Sequence, residues 1–209
     1  MSAASGQVVA DALTRTLDQA DGLVALPVNR VLAGMERLDV RRITSPGEAR
    51  ALMRGIGADC LVVGTITAYD PYDPPTIGLA AEVYEVDERQ STAVDLRGMT
   101  RAGSGLAGRV SSSESGVPEG ASSSISAVLD ASDPRTRDAL MAYAVDRGPA
   151  SKAPDAWVHH QRNMNLYIEF ACHELAGRLL LAEAQRLGVP LPAGKRGIRD
   201  RLAGVGRAP

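Results

Sequence analysis

The stretch that most constrains the fold runs from Ser45 to Ile66, where a helix marked at both ends leads directly into an apolar run. Ser45 can serve as N-cap, Pro46 fits the first helical position, and Glu48 completes a capping box. Ala49, Leu52, Met53 and Ile56 recur at three- and four-residue spacing and give that helix one apolar face. Gly57 can end it, since glycine takes the left-handed C-terminal conformation without steric cost. Cys60 to Ile66 is almost continuously apolar, which suits a strand covered on both faces.

The flanking segments extend this pattern. Val9, Leu13, Thr16, Leu17 and Ala20 share a helical face over residues 6 to 20, and Val28, Val31, Leu32, Met35 and Leu38 share another. Between them Leu23 to Leu26 is a short apolar run ending at Pro27, expected to be a strand. After Ile66, Ile77, Leu79, Ala81 and Val83 alternate with Gly78, Ala80, Glu82 and Tyr84, the period of a half-buried strand. Thr92, Val94 and Leu96 alternate in the same way beyond a turn at Asp87-Glu88-Arg89-Gln90. The expected class is therefore α/β, α+β-like: a mixed sheet of about four strands with packed helices, then a C-terminal helical part.

The domain organisation follows composition. Residues 1–100 form the α/β module. Residues 101–127 are half Gly and Ser and cannot bury enough apolar surface to offset their ordering entropy, so they are expected to be a disordered loop or linker. Residues 128–193 form a helical part packing on the module. In it Asp133-Pro134 starts a helix that Gly148 stops, with Leu140, Met141 and Ala144 on its apolar side. A Pro-containing connector, 149–156, precedes a long helix. Met164, Ile168, Ala171, Cys172, Leu175, Leu179 and Ala182 mark its apolar face, read as the domain's own core with an oligomer seam as the alternative. Residues 194–209 form a flexible basic tail.

A chain of 209 residues can build a core without disulfide or metal. With one Trp, one Phe and five Tyr, that core must be mainly aliphatic. A formal net charge of −2 gives no whole-chain field for nucleic acid or an anionic membrane. Two cysteines, Cys60 and Cys172, are too few for a disulfide framework. They are expected to be buried free thiols, with one disulfide between them as the alternative. No run approaches the ~20 apolar residues of a membrane span. Met1 to Ser5 has neither the basic nor the apolar region of a signal peptide.

No constellation carries a reaction or a cofactor convincingly. Gly103, Gly105 and Gly108 match a dinucleotide fingerprint, but no helix pattern follows them. His173-Glu174 opens like a zinc-protease helix, yet Gly177 stands where the second ligand belongs. His159 and His160 are adjacent and do not share a helix face with His173 at ligand spacing. Cys172 and His173 project about 100° apart on a helix and do not face each other. Lys195, Arg196, Arg199, Arg201 and Arg207 crowd the tail around a single acid, Asp200, without the interleaved aromatics of stacking recognition. Catalytic, cofactor and metal residues are therefore each expected to be none. The most unusual stretch is Tyr69-Asp70-Pro71-Tyr72-Asp73-Pro74-Pro75. Prolines stiffen it, so Tyr69, Asp70, Tyr72, Asp73, Pro74 and Pro75 are candidates for a partner contact of low entropic cost. Equally, the loop is a rigid connector with its Tyr rings packed on their own domain.

The capped helix followed by Gly57-Ala-Asp-Cys-Leu-Val-Val-Gly64-Thr-Ile resembles a module of bacterial envelope lipoproteins. These are related to the curli secretion channel subunit, the amino-terminal domain of the Tol-system propeller protein, and penicillin-binding-protein activators. The likeness covers about residues 6 to 100. Asp59 suits the helix-to-strand turn, and Gly64 is expected to permit close packing over a buried strand. Members of that group begin with a strand, a signal peptide and a lipid-bearing cysteine. Here the helix comes first and Cys60 is the first cysteine, so the start is expected to be internal or truncated. The resemblance implies a non-enzymatic envelope binding or assembly module at the periplasmic face of the outer membrane or in the periplasm. Its partner would be an envelope protein or a second copy, with membrane association only through a missing N-terminal anchor. The alternative is a cytoplasmic small-ligand-binding or enzymatic domain.

Overall fold

The computed structural model describes residues 3–86, 121–147 and 156–189. In order these form α1 (Ala3–Asp18), α2 (Val28–Arg37), α3 (Pro46–Ile56), β1 (Cys60–Asp70), β2 (Thr76–Glu85), β3 (Ser123–Asp130), α4 (Pro134–Asp146), α5 (Ala156–Arg162) and α6 (Met164–Leu187). The mixed helix-and-sheet class and the C-terminal helices agree with expectation. Among the described residues the sheet has three strands in the order β1-β2-β3, all antiparallel, where a mixed sheet of about four was expected. The expected strand at Thr92–Leu96 and its turn lie outside the described residues.

Helix α3 forms as its local signals dictate. The Ser45 hydroxyl accepts the Glu48 N–H at 3.2 Å, and the Glu48 carboxylate accepts the Ser45 N–H at 3.1 Å. Two amides that the first helical turn leaves unpaired are thereby satisfied. The same carboxylate accepts the N–H of Thr44 at 2.7 Å and its hydroxyl at 2.9 Å. These bonds hold the Glu48 carboxyl below its ordinary value of 4.5. Gly57 ends the helix at φ 70°. Leu52, Met53 and Ala49 are fully buried. Helix α2 approaches closely at Gly34, where a β-carbon would lie 2.5 Å from Ile56 Cγ2.

Two apolar clusters flank the sheet. On one face, β2 residues Ile77, Leu79 and Ala81 and β3 residues Ala127 and Leu129 pack against α1 and α6, with Leu140 and Tyr143 of α4. On the other face, Leu61 and Tyr84 meet α3, with Val31 and Met35 of α2 at the margin. The Tyr167 hydroxyl donates to the Leu129 carbonyl at 3.2 Å and fixes α6 to β3. Helix α6 buries Ile168, Ala171, Cys172, Leu175 and Leu179, so the stripe expected there is spent on the molecule's own core.

Five expectations require correction. Leu23–Leu26 is not a strand: the Ala25 N–H bonds to Asp18 Oδ1 at 3.1 Å, no neighbouring strand lies beside it among the described residues, and Val24 is 88% exposed. Cys60–Ile66 is covered on both faces only in part, Val62 and Ile66 on the α1–α6 side and Leu61 and Val63 on the α2–α3 side. Among the described residues it belongs to an edge strand whose residues are mostly half-buried or exposed, while β2 occupies the centre and is the more buried. Among the described residues Gly64 does not serve close packing, because a β-carbon there would meet none of them within 4 Å. Ser123–Ala127, assigned to the Gly/Ser linker, open β3. Their serines occupy partly or fully exposed positions, while Ala127 and Leu129 turn to the core. In α4 Met141 is likewise exposed, and Thr136 and Tyr143 are buried with Leu140 and Ala144.

Candidate functional site

The Tyr–Pro segment joins β1 to β2, and the hairpin holds it by several bonds. Asp70 Oδ1 accepts the Tyr72 N–H at 3.1 Å, an Asx turn. Asp73 Oδ1 accepts from Gln161 Nε2 of α5 at 2.8 Å, with Arg162 Nε 4.0 Å from its other oxygen. The Asp73-Pro74 peptide is cis, Pro75 is buried, and the Pro75 carbonyl accepts the Ala131 N–H at 3.0 Å. The six candidate residues are not brought together as one surface. Tyr69 packs against the core, and Tyr72 points away from it, 80% exposed. Asp70, Asp73 and Pro74 are exposed at the loop.

The residues considered for chemistry fall into separate surroundings. Cys172 is buried, its thiol within 3.6 Å of the Val9 carbonyl, and burial pushes its pKa up to about 12. It is an inert thiol at neutral pH. Cys60 was expected to be buried but is exposed at the start of β1, and both thiols are free. Even so, partial burial of the Cys60 thiol pushes its pKa up, with the carboxylates of Glu85, Glu183 and Asp59 adding to the shift.

His160 and His173 both contact one ring. Their centroids lie 5.9 Å and 5.1 Å from that of Tyr143, which also meets Phe170 at 5.5 Å. The Arg147 guanidinium sits 4.5 Å from the Tyr143 centroid. Burial pushes the Tyr143 phenol to about 12, with nearby Arg147 opposing. Sequence reasoning missed Tyr143, although its spacing from Thr136 and Leu140 marks the same helix face. Among the described residues no trio of His, Cys, Asp or Glu is placed to hold a metal ion. The Gly103–Gly108 match and the basic tail lie outside the described residues.

The feature with the most to offer a partner is the outer edge of β1. Its eleven residues pair with β2 from Cys60↔Glu85 to Asp70↔Thr76, and among the described residues nothing pairs on the other side. No charged side chain occurs from Cys60 to Tyr69, and Gly64, Thr65 and Thr67 are exposed. A bulge between Ile66 and Ala68 makes Thr67 the extra residue, and Gly78 receives it across the ladder. A β-carbon at Gly78 would lie 2.4 Å from Thr67 Oγ1 and 2.9 Å from the Ala68 nitrogen. Among the described residues no helix is long and apolar enough to cross a membrane. Comparison with protein-family models, with curated proteins and with solved structures finds no match for this chain.

Proposed function

We propose that the chain is a non-enzymatic binding or assembly module of the bacterial cell envelope, holding an extended segment of another envelope protein along β1. The observation that carries this reading is the eleven-residue strand β1, which is paired on one side only among the described residues. Folded proteins usually protect such an edge with charge, proline or a covering element, because its free amides and carbonyls template a further strand. Strand addition satisfies those groups and takes its affinity from main-chain hydrogen bonds. The likeness of Gly57–Ile66 to envelope lipoprotein modules supports the periplasm, or the periplasmic face of the outer membrane, as its place of work.

The test is position-dependent crosslinking. A photoreactive residue at Thr65 or Thr67 should capture one protein in envelope fractions, and the adduct should disappear when the neighbouring threonine is changed to Lys. Equal capture from exposed Arg178 on α6, or none from either β1 position, overturns the proposal.

The alternative, a small-ligand-binding or enzymatic domain of the cytoplasm, rests on one observation. Among the described residues the Tyr143 hydroxyl and Gln161 Oε1 are buried without a hydrogen-bond partner, whereas buried polar atoms normally have one. A metabolite that raises the Tm of the wild type, but not of Tyr143→Phe, would favour that reading.

A further inference from the structure

The ends of β1 differ from its middle in a way that specifies the strand it would accept. Asp59 immediately precedes the strand and Asp70 closes it, and both are exposed. Among the described residues neither forms an ion pair. Glu85 and Glu183 stand near the Asp59 end, where both act on Cys60, with Arg186 bonded to the pair. Asp73 stands beyond the Asp70 end, shared with Gln161 and Arg162. Between these acidic ends the strand carries no charge, and its exposed positions beyond Cys60 are Gly64, Thr65 and Thr67.

We infer that the occupant of β1 is an extended segment of a partner protein with a basic residue at each end and an uncharged, β-forming middle. The inference rests on the edge-strand reading above and adds the chemistry of the ligand. At ~3.3 Å per residue, and with Thr67 looped out as the bulge residue, the two bases stand about ten positions apart in a segment of about eleven residues. A second copy of this chain is the poorer fit. Antiparallel self-pairing about Thr65, with Thr67 looped out of each strand, sets each Asp70 opposite Leu61 and diagonal to Asp59 on the same face, so like charges approach at both ends.

The experiment uses the full chain and two soluble peptides of about eleven residues. Both alternate Thr and Val; one begins and ends in Lys, the other in Glu. Binding is read by fluorescence anisotropy at low ionic strength, where exposed charges are least screened. The Lys-ended peptide should bind about tenfold more tightly than the Glu-ended one, because each end changes from an attractive to a repulsive pair. Salt, or the double variant Asp59→Asn and Asp70→Asn, should remove most of that difference. The side-chain amide introduced by Asp70→Asn keeps a carbonyl acceptor for the Tyr72 N–H, so the hairpin stays intact. Thr65→Lys, at an exposed position, should weaken both peptides.

Equal binding of the two peptides, both weakened by Thr65→Lys, leaves the edge reading standing and overturns the charge inference. Failure of both peptides to bind, with circular dichroism confirming folded protein, overturns both. A dimer of the chain alone that Thr65→Lys dissociates makes a second copy the occupant and likewise overturns the inference.

Discussion

Strands β1 and β2 lie side by side through most of their length, yet they do different work. Strand β2 is enclosed: Ile77, Leu79, Ala81 and Val83 are buried on one face and Tyr84 on the other. Strand β1 is enclosed only where helices reach it, with Leu61 buried under the α2–α3 side and Val62 and Ile66 partly covered on the α1–α6 side. The contrast shows that neighbouring strands need not share an energetic role. The central strand holds the two apolar clusters together, and the peripheral one contributes backbone pairing on a single side among the described residues.

Substitutions in matched positions measure this contrast. The largest effect is expected from Ile77→Ala. It opens a cavity at a fully buried position and should cost about 2–5 kcal/mol in chemical denaturation. Thr65→Ala on the exposed edge should stay within about 0.5 kcal/mol. Similar losses at the two positions would break the comparison.

The two strand glycines give the next effect. Gly78→Ala forces a methyl group onto the Thr67 hydroxyl and the Ala68 backbone, and should destabilise by about 1–3 kcal/mol. Gly64→Ala meets none of the described residues within 4 Å and should be neutral or stabilising by up to about 1 kcal/mol, through reduced freedom of the unfolded chain. Thermal midpoints of both variants would show it, and equal midpoints would contradict the packing described.

A smaller, pH-dependent effect belongs to the start of α3. The Glu48 carboxyl is held below 4.5 in the folded state, so its contribution is fully present above that value. It is lost as the pH falls through the lowered folded value. The stability difference between wild type and Glu48→Gln should therefore shrink on acidification across that window. A difference that is flat with pH would mean the carboxylate bonds do not operate in solution.

What could be read from sequence was what is decided locally. Helix α3 was legible to the residue because Ser45, Pro46, Glu48 and Gly57 act on their own helix ends. The long helix α6 was legible because its apolar repeat does not depend on which neighbour covers it. The order of strands was not, because it depends on pairing between distant segments. An unbroken apolar run reads as a central strand, but Cys60–Ile66 owes its composition to partial cover from two helical layers while it sits at the edge. Strand β3 was hidden by its serines, of which Ser124 and Ser126 occupy the exposed positions of an ordinary alternation. Of the candidate contacts, the Tyr–Pro loop was found by its composition. The link from Asp73 to Gln161 and Arg162 joins segments far apart in the chain and leaves no local mark.

The departure from β2 and the return into β3 are fastened at one corner. The Ser122 N–H donates to the Val83 carbonyl at 2.7 Å, and Arg186 of α6 bonds to Glu85 while Glu183 bonds to Ser123. Whatever joins these two points begins and ends at the same tether. For a flexible connection closed at such a tether, doubling its length changes the closure entropy by only about 0.6 kcal/mol. A flexible insert placed between β2 and β3 would therefore change stability little as it lengthens, and it would emerge beside the Asp59 end of β1, where Glu85 pairs with Cys60.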